Sequence, residues 1–379
     1  MDLQLLSERK TPFYLYDLSV LTNTLVRGKV AADRHGFHIH YALKANTDSK
    51  ILAAMIKNGI GADCVSGQEV KCALDAGFKP ENIAFAGVGK TDDEIDFAID
   101  AGLFTLNVES LEELEVISER ATLLNKTANV ALRLNPDVNA KTHHYITTGL
   151  EENKFGIGEW QLDDVLSIIR SNDKLNLRGL HFHIGSQITS LEPFKNLCVR
   201  INYFIEYLLT QGFHIQHVNA GGGLGIDYNA EAGADDPDFE TYFQIFADQL
   251  NLKPDQEVHF ELGRSLVAHC GSLISRVLYV KKGQKTNFLI LDAGMTELIR
   301  PALYQAFHRI ENWSTPDAAL EKYDVVGPVC ESSDCFGKAI DLPQSKRGDI
   351  IAIKAAGAYG EAMASNYNLR KLNDGVYIG

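Results

Sequence analysis

Apolar and polar positions alternate through His38-Ile-His-Tyr-Ala-Leu-Lys-Ala-Asn46 and then change period: Ile51, Leu52, Met55 and Ile56 recur at helical spacing after Thr47-Asp48 and stop at Gly59. The first pattern predicts a buried strand and the second a helix, with Lys44 in the loop between them. The same alternation of strand and helix signals returns along the chain, with predicted strands at 39–45, 61–66, 82–87, 103–108, 129–136, 177–186, 215–223 and 258–264. Eight parallel strands with helices between them predict a closed TIM (β/α)8 barrel, a fold whose chemistry sits on the loops after the strands. The polar and glycine residues gather at those ends: Lys44, Asp63, Ser66, Arg133, Asn135, His183, Ser186, Gly221 to Gly223, Glu261 and Arg264.

After Gly271 the pattern changes. Residues 273–281, 287–292, 323–329 and 349–355 alternate or run apolar, with turn signals such as Lys282-Gly283 between them. This predicts an all-β second domain, and the strand expected at 13–16, which has no slot in the barrel, is expected to join it. The fold class expected is therefore α/β, a barrel over 25–265 with a C-terminal all-β domain, sandwich or barrel-like, built from 1–24 and 266–379. Gly-Ala-Asp-Asp-Pro at 233–237 reads as a mobile acidic loop.

Composition narrows the partners. The 379 residues are 45% hydrophobic and 23% charged, with a formal charge of −14. Such a chain is globular, and its charge repels nucleic acid and anionic membranes. Neither is expected as a partner. The first ten residues lack a signal-peptide pattern and no apolar run is long enough to span a bilayer, so a cytoplasmic protein is expected. Cys64, Cys72, Cys198, Cys270, Cys330 and Cys335 form no C-x-x-C pair and read as reduced thiols.

Lys44 suits Schiff-base chemistry, because an amine held in a partly desolvated site attacks a carbonyl where a solvated one does so poorly. A surface lysine after a strand is the plainer alternative. Asn219-Ala-Gly-Gly-Gly-Leu-Gly225 fails the G-x-G-x-x-G spacing, since the sixth residue is Ile226 counted from Gly221 and Tyr228 counted from Gly223. Three glycines after the seventh strand still suit a phosphate, with Arg264 of Glu261-Leu-Gly-Arg264 as its cation; a tight turn with no ligand is the alternative. His181 and His183 repeat on one strand face, which admits a metal site, a hydrogen-bonded structural pair, or His183 lying flat on a planar cofactor. No metal is expected. Cys330 beside Glu331 reads either as a buried small hydrophobe or as a proton donor to a carbanion. Arg300 of Arg-Pro-Ala-Leu-Tyr304 reads as a carboxylate clamp or a surface ion pair. Lysine, carboxylate, flat histidine and glycine loop together are what pyridoxal phosphate (PLP) requires of a protein.

In that order Tyr41-Ala-Leu-Lys-Ala-Asn46, Gly179-Leu-His-Phe-His-Ile-Gly-Ser-Gln187, Gly221-Gly-Gly-Leu-Gly-Ile-Asp-Tyr228, Glu261-Leu-Gly-Arg264, Arg300-Pro-Ala-Leu-Tyr304, Cys330-Glu-Ser-Ser-Asp334 and Gly357-Ala-Tyr-Gly360 resemble the alanine-racemase-fold PLP decarboxylases, and within them the diaminopimelate decarboxylases. The resemblance runs through nearly the whole chain. It implies that Lys44 holds PLP covalently, that His183 stacks on its ring, and that Glu261 keeps the pyridine nitrogen protonated. Ser186, Gly221, Gly222, Gly223 and Arg264 would hold the phosphate, and Gly263 would also contact the cofactor. Arg264, Arg300, Tyr304, Glu331 and Tyr359 would bind substrate, with Tyr359 also near the cofactor. Cys330 would be catalytic with Lys44, His183 and Glu261, and Cys330 and Glu331 would come from the partner subunit of a homodimer with shared active sites. Leu262, Asn153 and Gln68 stand where the family commonly has proline, histidine and glycine, and none of them removes a group named above.

The implied reaction is decarboxylation of meso-2,6-diaminopimelate to L-lysine and CO2, the last step of lysine biosynthesis. The nearest alternative is a polyamine-pathway decarboxylase acting on ornithine, arginine or carboxynorspermidine, against which Arg300 speaks. A racemase would need a tyrosine base where this chain has Cys330-Glu331. A PLP carrier would have no use for a β domain, and a metal hydrolase would need further ligands.

Overall fold

The computed structural model describes residues 8–138, 154–231, 236–371 and 373–379. A first strand, β1 (Phe13–Asp17), precedes eight barrel strands: β2 (His38–Ala42), β3 (Gly61–Cys64), β4 (Ile83–Phe85), β5 (Thr105–Val108), β6 (Ala128–Arg133), β7 (Leu175–His181), β8 (His217–Asn219) and β9 (Glu257–Leu262). Each pairs in parallel with the next, and β9 closes on β2 in the register His40↔Glu261. The expected (β/α)8 barrel is what the chain forms.

Helices start where polar side chains cap them, at the C-terminal ends of the strands. Asp48 accepts hydrogen bonds from Lys50 N and Ile51 N to open the helix Ser49–Lys57, Ser66 caps Gly67–Ala76, and Thr91 forms a reciprocal capping box with Glu94. The alternation inside β9 sorts its residues. Phe260 packs against Tyr242, Phe243 and Phe246 of the helix Phe239–Gln249, with ring centroids 5.6, 4.9 and 4.8 Å away, while His259 and Glu261 turn into the barrel. The barrel interior is thus polar. Burial lowers the His40 and His259 imidazoles below their usual range, and burial and then Arg178 bring His217 down to about 4.

The remaining strands are β10 (Gly271–Lys282), β11 (Asn287–Leu291), β12 (Ile310–Asn312), β13 (Leu320–Val326), β14 (Cys335–Pro343), β15 (Ile350–Ile353) and β16 (Val376–Ile378). They run in the order β12-β15-β10-β11-β13-β14, and β1 pairs antiparallel with β10 and parallel with β16. The N-terminal strand joins this sheet as expected, and Phe13, Leu15, Ile274, Ile350 and Ala352 form a core there with Trp313, Val376 and Ile378 packed against it.

Two compact units result: Leu25–Ile226 with Pro237–Leu266, and a β unit containing 8–24, Asp227–Asp236 and Val267–Gly379. The sequence reading kept 227–236 with the barrel. The described residues of that segment, 227–231 and 236, instead belong to the β unit, where His269 Nε2 lies 2.7 Å from Asp236 Oδ2 and Arg309 donates to Asn229 O. Most of the acidic loop at 233–237, together with Asn153, lies outside the described residues. No helix among the described residues is long and apolar enough to cross a membrane, and all six cysteines are free.

Candidate active site

Lys44 sits in a single 3-10 turn, Leu43–Ala45, between two fully buried neighbours. Tyr41 Oη donates to Asn46 O at 2.8 Å, and Asn46 Oδ1 accepts from Asp48 N at 2.9 Å, so the turn is tied to both strand and helix. The Lys44 amine lies 4.0 Å from Asp63 Oδ2. Both side chains line a cavity of about 430 Å³ with Ser66, Arg133, His183 and Glu261.

Glu261 is 6% exposed and its carboxylate is held by three side chains. Oε1 accepts from Asn219 Nδ2 at 2.7 Å and Asn107 Nδ2 at 3.2 Å, and Oε2 lies 2.8 Å from His181 Nε2. Burial alone would raise this carboxyl, but His181, which bonds to it, and then the Lys44 charge outweigh it and hold Glu261 below the usual carboxylate range. Asp63 responds in the opposite sense. Burial first, and then the Glu261 charge, push its carboxyl well up, and its Oδ1 has no hydrogen-bond partner among the described residues.

His183 stands just past β7. Burial, then the nearby Lys44 charge, lower its pKa well below the ordinary value, so the ring is neutral, and its Nδ1 accepts from Gly222 N at 3.2 Å. His181 is pinned to Glu261, so the two imidazoles point to different partners. The glycine run between them and β9 is required by close approach. A Cβ on Gly222 would lie 1.9 Å from Glu261 O, and one on Gly221, whose φ is +72°, would lie 2.0 Å from Phe182 O. Beyond it, Arg264 Nη2 donates to Ser186 Oγ at 3.0 Å, and Gly263 is buried between Leu262 and Arg264.

Five predicted residues belong to the β unit. Arg300 opens the short helix Arg300–Tyr304 and is 4% exposed, which rules out a surface ion pair. Its Nη1 lies 2.8 Å from His308 Nε2, and its guanidinium carbon lies 5.1 Å from the Tyr228 ring centroid. Tyr304 ends that helix half-buried. Cys330 and Glu331 are exposed, against the buried-hydrophobe reading of the thiol, on a turn held by Asp334, which accepts from Val329 N at 2.7 Å and Met295 N at 2.6 Å. Tyr359 is half-buried with φ +56°, between buried Ala358 and Gly360.

Sequence reasoning gave no role to Asn107, Asn219, Glu109 or Lys90. Glu109 accepts from Arg133 Nη1 at 2.5 Å, Gly87 N at 3.0 Å and Gly156 N at 3.1 Å. Lys90 Nζ donates to Gly87 O, Asn107 O and Glu113 Oε1 at 2.8, 2.9 and 2.6 Å. A signal existed in Asn107-Val-Glu109 and His217-Val-Asn219, where polar residues recur every second position in otherwise apolar strands.

The barrel's groups fit PLP. The Lys44 amine stands beside the cavity with Asp63, whose Oδ1 has no hydrogen-bond partner among the described residues, Glu261 carries a clamped negative charge, and the glycine run has no side chain beyond Cα to block approach to its backbone.

Known proteins agree with this chemistry. The family "Pyridoxal-dependent decarboxylase, pyridoxal binding domain" matches residues 26–268. The chain is 54% identical over 367 residues to a diaminopimelate decarboxylase of Bacteroides thetaiotaomicron, covering 97% of this chain and 95% of that one. Its structure is similar to that of diaminopimelate decarboxylase from Helicobacter pylori complexed with L-lysine, with TM-score 0.93 and 40% identity over 99% of this chain and 93% of that one. It is also similar to the M. jannaschii enzyme in co-complex with L-lysine, with TM-score 0.91 and 35% identity over 99% and 88% of the two chains. An arginine decarboxylase of Paramecium bursaria Chlorella virus, at 20% identity, shares the fold alone. Similarity of this extent along both units places the chain in the diaminopimelate decarboxylase family of group IV PLP-dependent decarboxylases.

Proposed function

We propose that the chain converts meso-2,6-diaminopimelate to L-lysine and CO2, with Lys44, His183, Glu261 and Cys330 as its catalytic groups. The observation that carries the assignment is Glu261, kept ionised in a buried site by His181, Asn107 and Asn219. Bound PLP supplies a conjugated electron sink for the pair left behind when CO2 departs. Glu261 holds a proton on the pyridine nitrogen, which deepens that sink. Lys44 supplies the amine that holds the cofactor's carbonyl carbon, and the neutral His183 ring offers a flat face. Gly221 to Gly223, Ser186 and Arg264 hold the phosphate, and Gly263 also contacts the cofactor.

Arg264, Arg300, Tyr304, Glu331 and Tyr359 are assigned to substrate, with Arg300 taking the distal carboxylate. The Cys330 thiol delivers its proton to the α-carbon that has lost CO2. Cys330 and Glu331 are exposed, as residues lent to a neighbouring copy are when one chain is viewed alone, and we assign the working form to a homodimer with shared sites. Free cysteines suit the reducing cytoplasm.

The test supplies purified protein with PLP and meso-diaminopimelate and follows lysine, with ornithine, arginine and carboxynorspermidine in parallel. Lysine from diaminopimelate alone is expected, and product from another substrate overturns the specificity. Lys44→Ala is expected to lower kcat by about 10³-fold or more; near-normal turnover would overturn its role.

A further inference from the structure

At the N-terminal mouth of the barrel, opposite the strand ends that carry Lys44 and Arg264, β8 and β9 lie in the register His217↔Glu257 and Asn219↔His259. Three side chains from these strands converge. His217 Nδ1 lies 3.2 Å from His259 Nε2, Glu257 Oε2 lies 3.4 Å from His217 Nδ1, and His259 Nε2 lies 3.7 Å from Glu257 Oε2. Donors bound at about 2.0–2.1 Å to a tetrahedral ion stand about 3.4 Å from one another. Among the described residues this is the only group of three metal-competent side chains with donor atoms all within 4.8 Å.

We propose that His217, Glu257 and His259 form a binding site for a divalent cation of borderline softness, zinc foremost, which ties β8 to β9 at the barrel's mouth. Two imidazole nitrogens and one carboxylate are a donor set that suits zinc better than calcium or magnesium. The half-exposed Glu257 borders a cavity of about 290 Å³, so solvent completes the tetrahedron.

The hydrogen bonds behind the ligands fix which nitrogen is available. Asn82 O can only accept, so His40 Nδ1, 3.2 Å away, donates to it, and His40 Nε2 is left an acceptor. His259 Nδ1, 2.9 Å from His40 Nε2, therefore carries its proton, and the His259 lone pair lies on Nε2, facing the site. This is the outer-shell arrangement that orients a metal-ligating histidine. His217 is set against the ion. Arg178 Nη2 donates to its Nε2 at 2.7 Å, which places the His217 proton on Nδ1. On ion entry that proton moves to Nε2 and Arg178 withdraws. Arg178 Nε has no hydrogen-bond partner among the described residues, and apart from the bond to His217 the guanidinium carbon lies 5.9 Å from the Phe104 ring centroid. Arg178 is thus the ion's competitor.

PLP-loaded protein, stripped with a chelator, is titrated calorimetrically with Zn2+ and separately with Co2+. One ion per chain and the intense visible bands of tetrahedral Co2+ are expected, with the melting temperature raised by Zn2+. His259→Asn is expected to weaken Zn2+ binding by about 100-fold and Glu257→Gln by about 10-fold. Arg178→Gln is expected to tighten it, which a hydrogen-bonded stack without a metal role would not do. Glu257 is half-exposed, so its variant folds and keeps the test decisive if His259→Asn does not. No binding by the wild type overturns the proposal, as does binding that Glu257→Gln and Arg178→Gln leave unchanged, which would locate the ion at cysteines or the cofactor pocket.

Discussion

Glu109 takes no part in the proposed chemistry, yet Arg133 and two backbone amides, Gly87 N and Gly156 N, converge on its buried carboxylate. Burial alone would raise its carboxyl, but Arg133, then His181 and Lys90, hold it below the usual range. A carboxyl depressed in the folded state contributes stability that is full above its unfolded value, about 4.3, and is lost as pH falls through the folded value. Glu109→Gln leaves Arg133 buried without its partner, and the expected loss is about 3–5 kcal/mol. Thermal melts between pH 7 and pH 3 check both points: the variant melts lower at pH 7 and shows a shallower acid limb, and an unchanged acid slope would remove Glu109 as the titrating group. None of this was legible in Asn107-Val-Glu109 alone, because a polar residue at a strand end does not name its partner. The strand, turn and capped helix around Lys44 were legible because that setting is local.

At the scale of elements, the glycine loop after β8 shows how a motif and its reason separate. Three glycines after a strand announce a tight loop in the sequence, whereas the need for Gly222 comes from Glu261 O on a neighbouring strand. Gly222→Ala is expected to lower PLP retention through gel filtration, read by the cofactor's visible absorbance, by about 10-fold or more. The melting temperature should fall with a loss of about 1–3 kcal/mol. Gly36→Ala is the control, with φ +69° but nothing within 4 Å of a Cβ, so it bears the backbone cost alone. Retention equal in the two variants would show that close approach is not what matters.

Strand ends misled for a related reason. Predicted strands ran on to 186, 223 and 264, but β7, β8 and β9 stop at His181, Asn219 and Leu262. Beyond those ends the backbone still bonds sideways, Phe182 N to Asn219 O at 2.8 Å and Ala220 N to His259 O at 2.9 Å, so the site loops keep the buried apolar texture of strands. In the β unit, β12 and β16 are three residues each, and β14 carries Gly337 and ends in Pro343, so local pattern passed over all three.

At the scale of the molecule, the proposed dimer makes a claim that one chain cannot satisfy. If Cys330 serves the site of a neighbouring copy, Lys44→Ala and Cys330→Ala proteins, each inactive alone, restore activity when mixed and re-associated. Random pairing makes half the dimers hybrids with one intact site in two, so recovery near one quarter of wild-type activity is expected. No recovery despite demonstrated exchange of subunits would place the thiol's function within its own chain.

The pairing of β1 with both β10 and β16 bears on how the chain is made. Tyr16 lies in register with Gly271 and with Tyr377, whose ring stacks on it at 5.8 Å. A ribosome adding about 5–20 residues per second makes Tyr16 roughly 20–70 s before Tyr377. Phe13 and Leu15 have no sheet to enter until β10 is made, and the β16 edge of β1 stays open until the end of the interval, although all eight barrel strands are finished by Leu262. The first strand synthesised is the last to be enclosed, so a nascent chain halted short of Val376 leaves a flank of β1 open to other chains, a state that invites aggregation or chaperone capture.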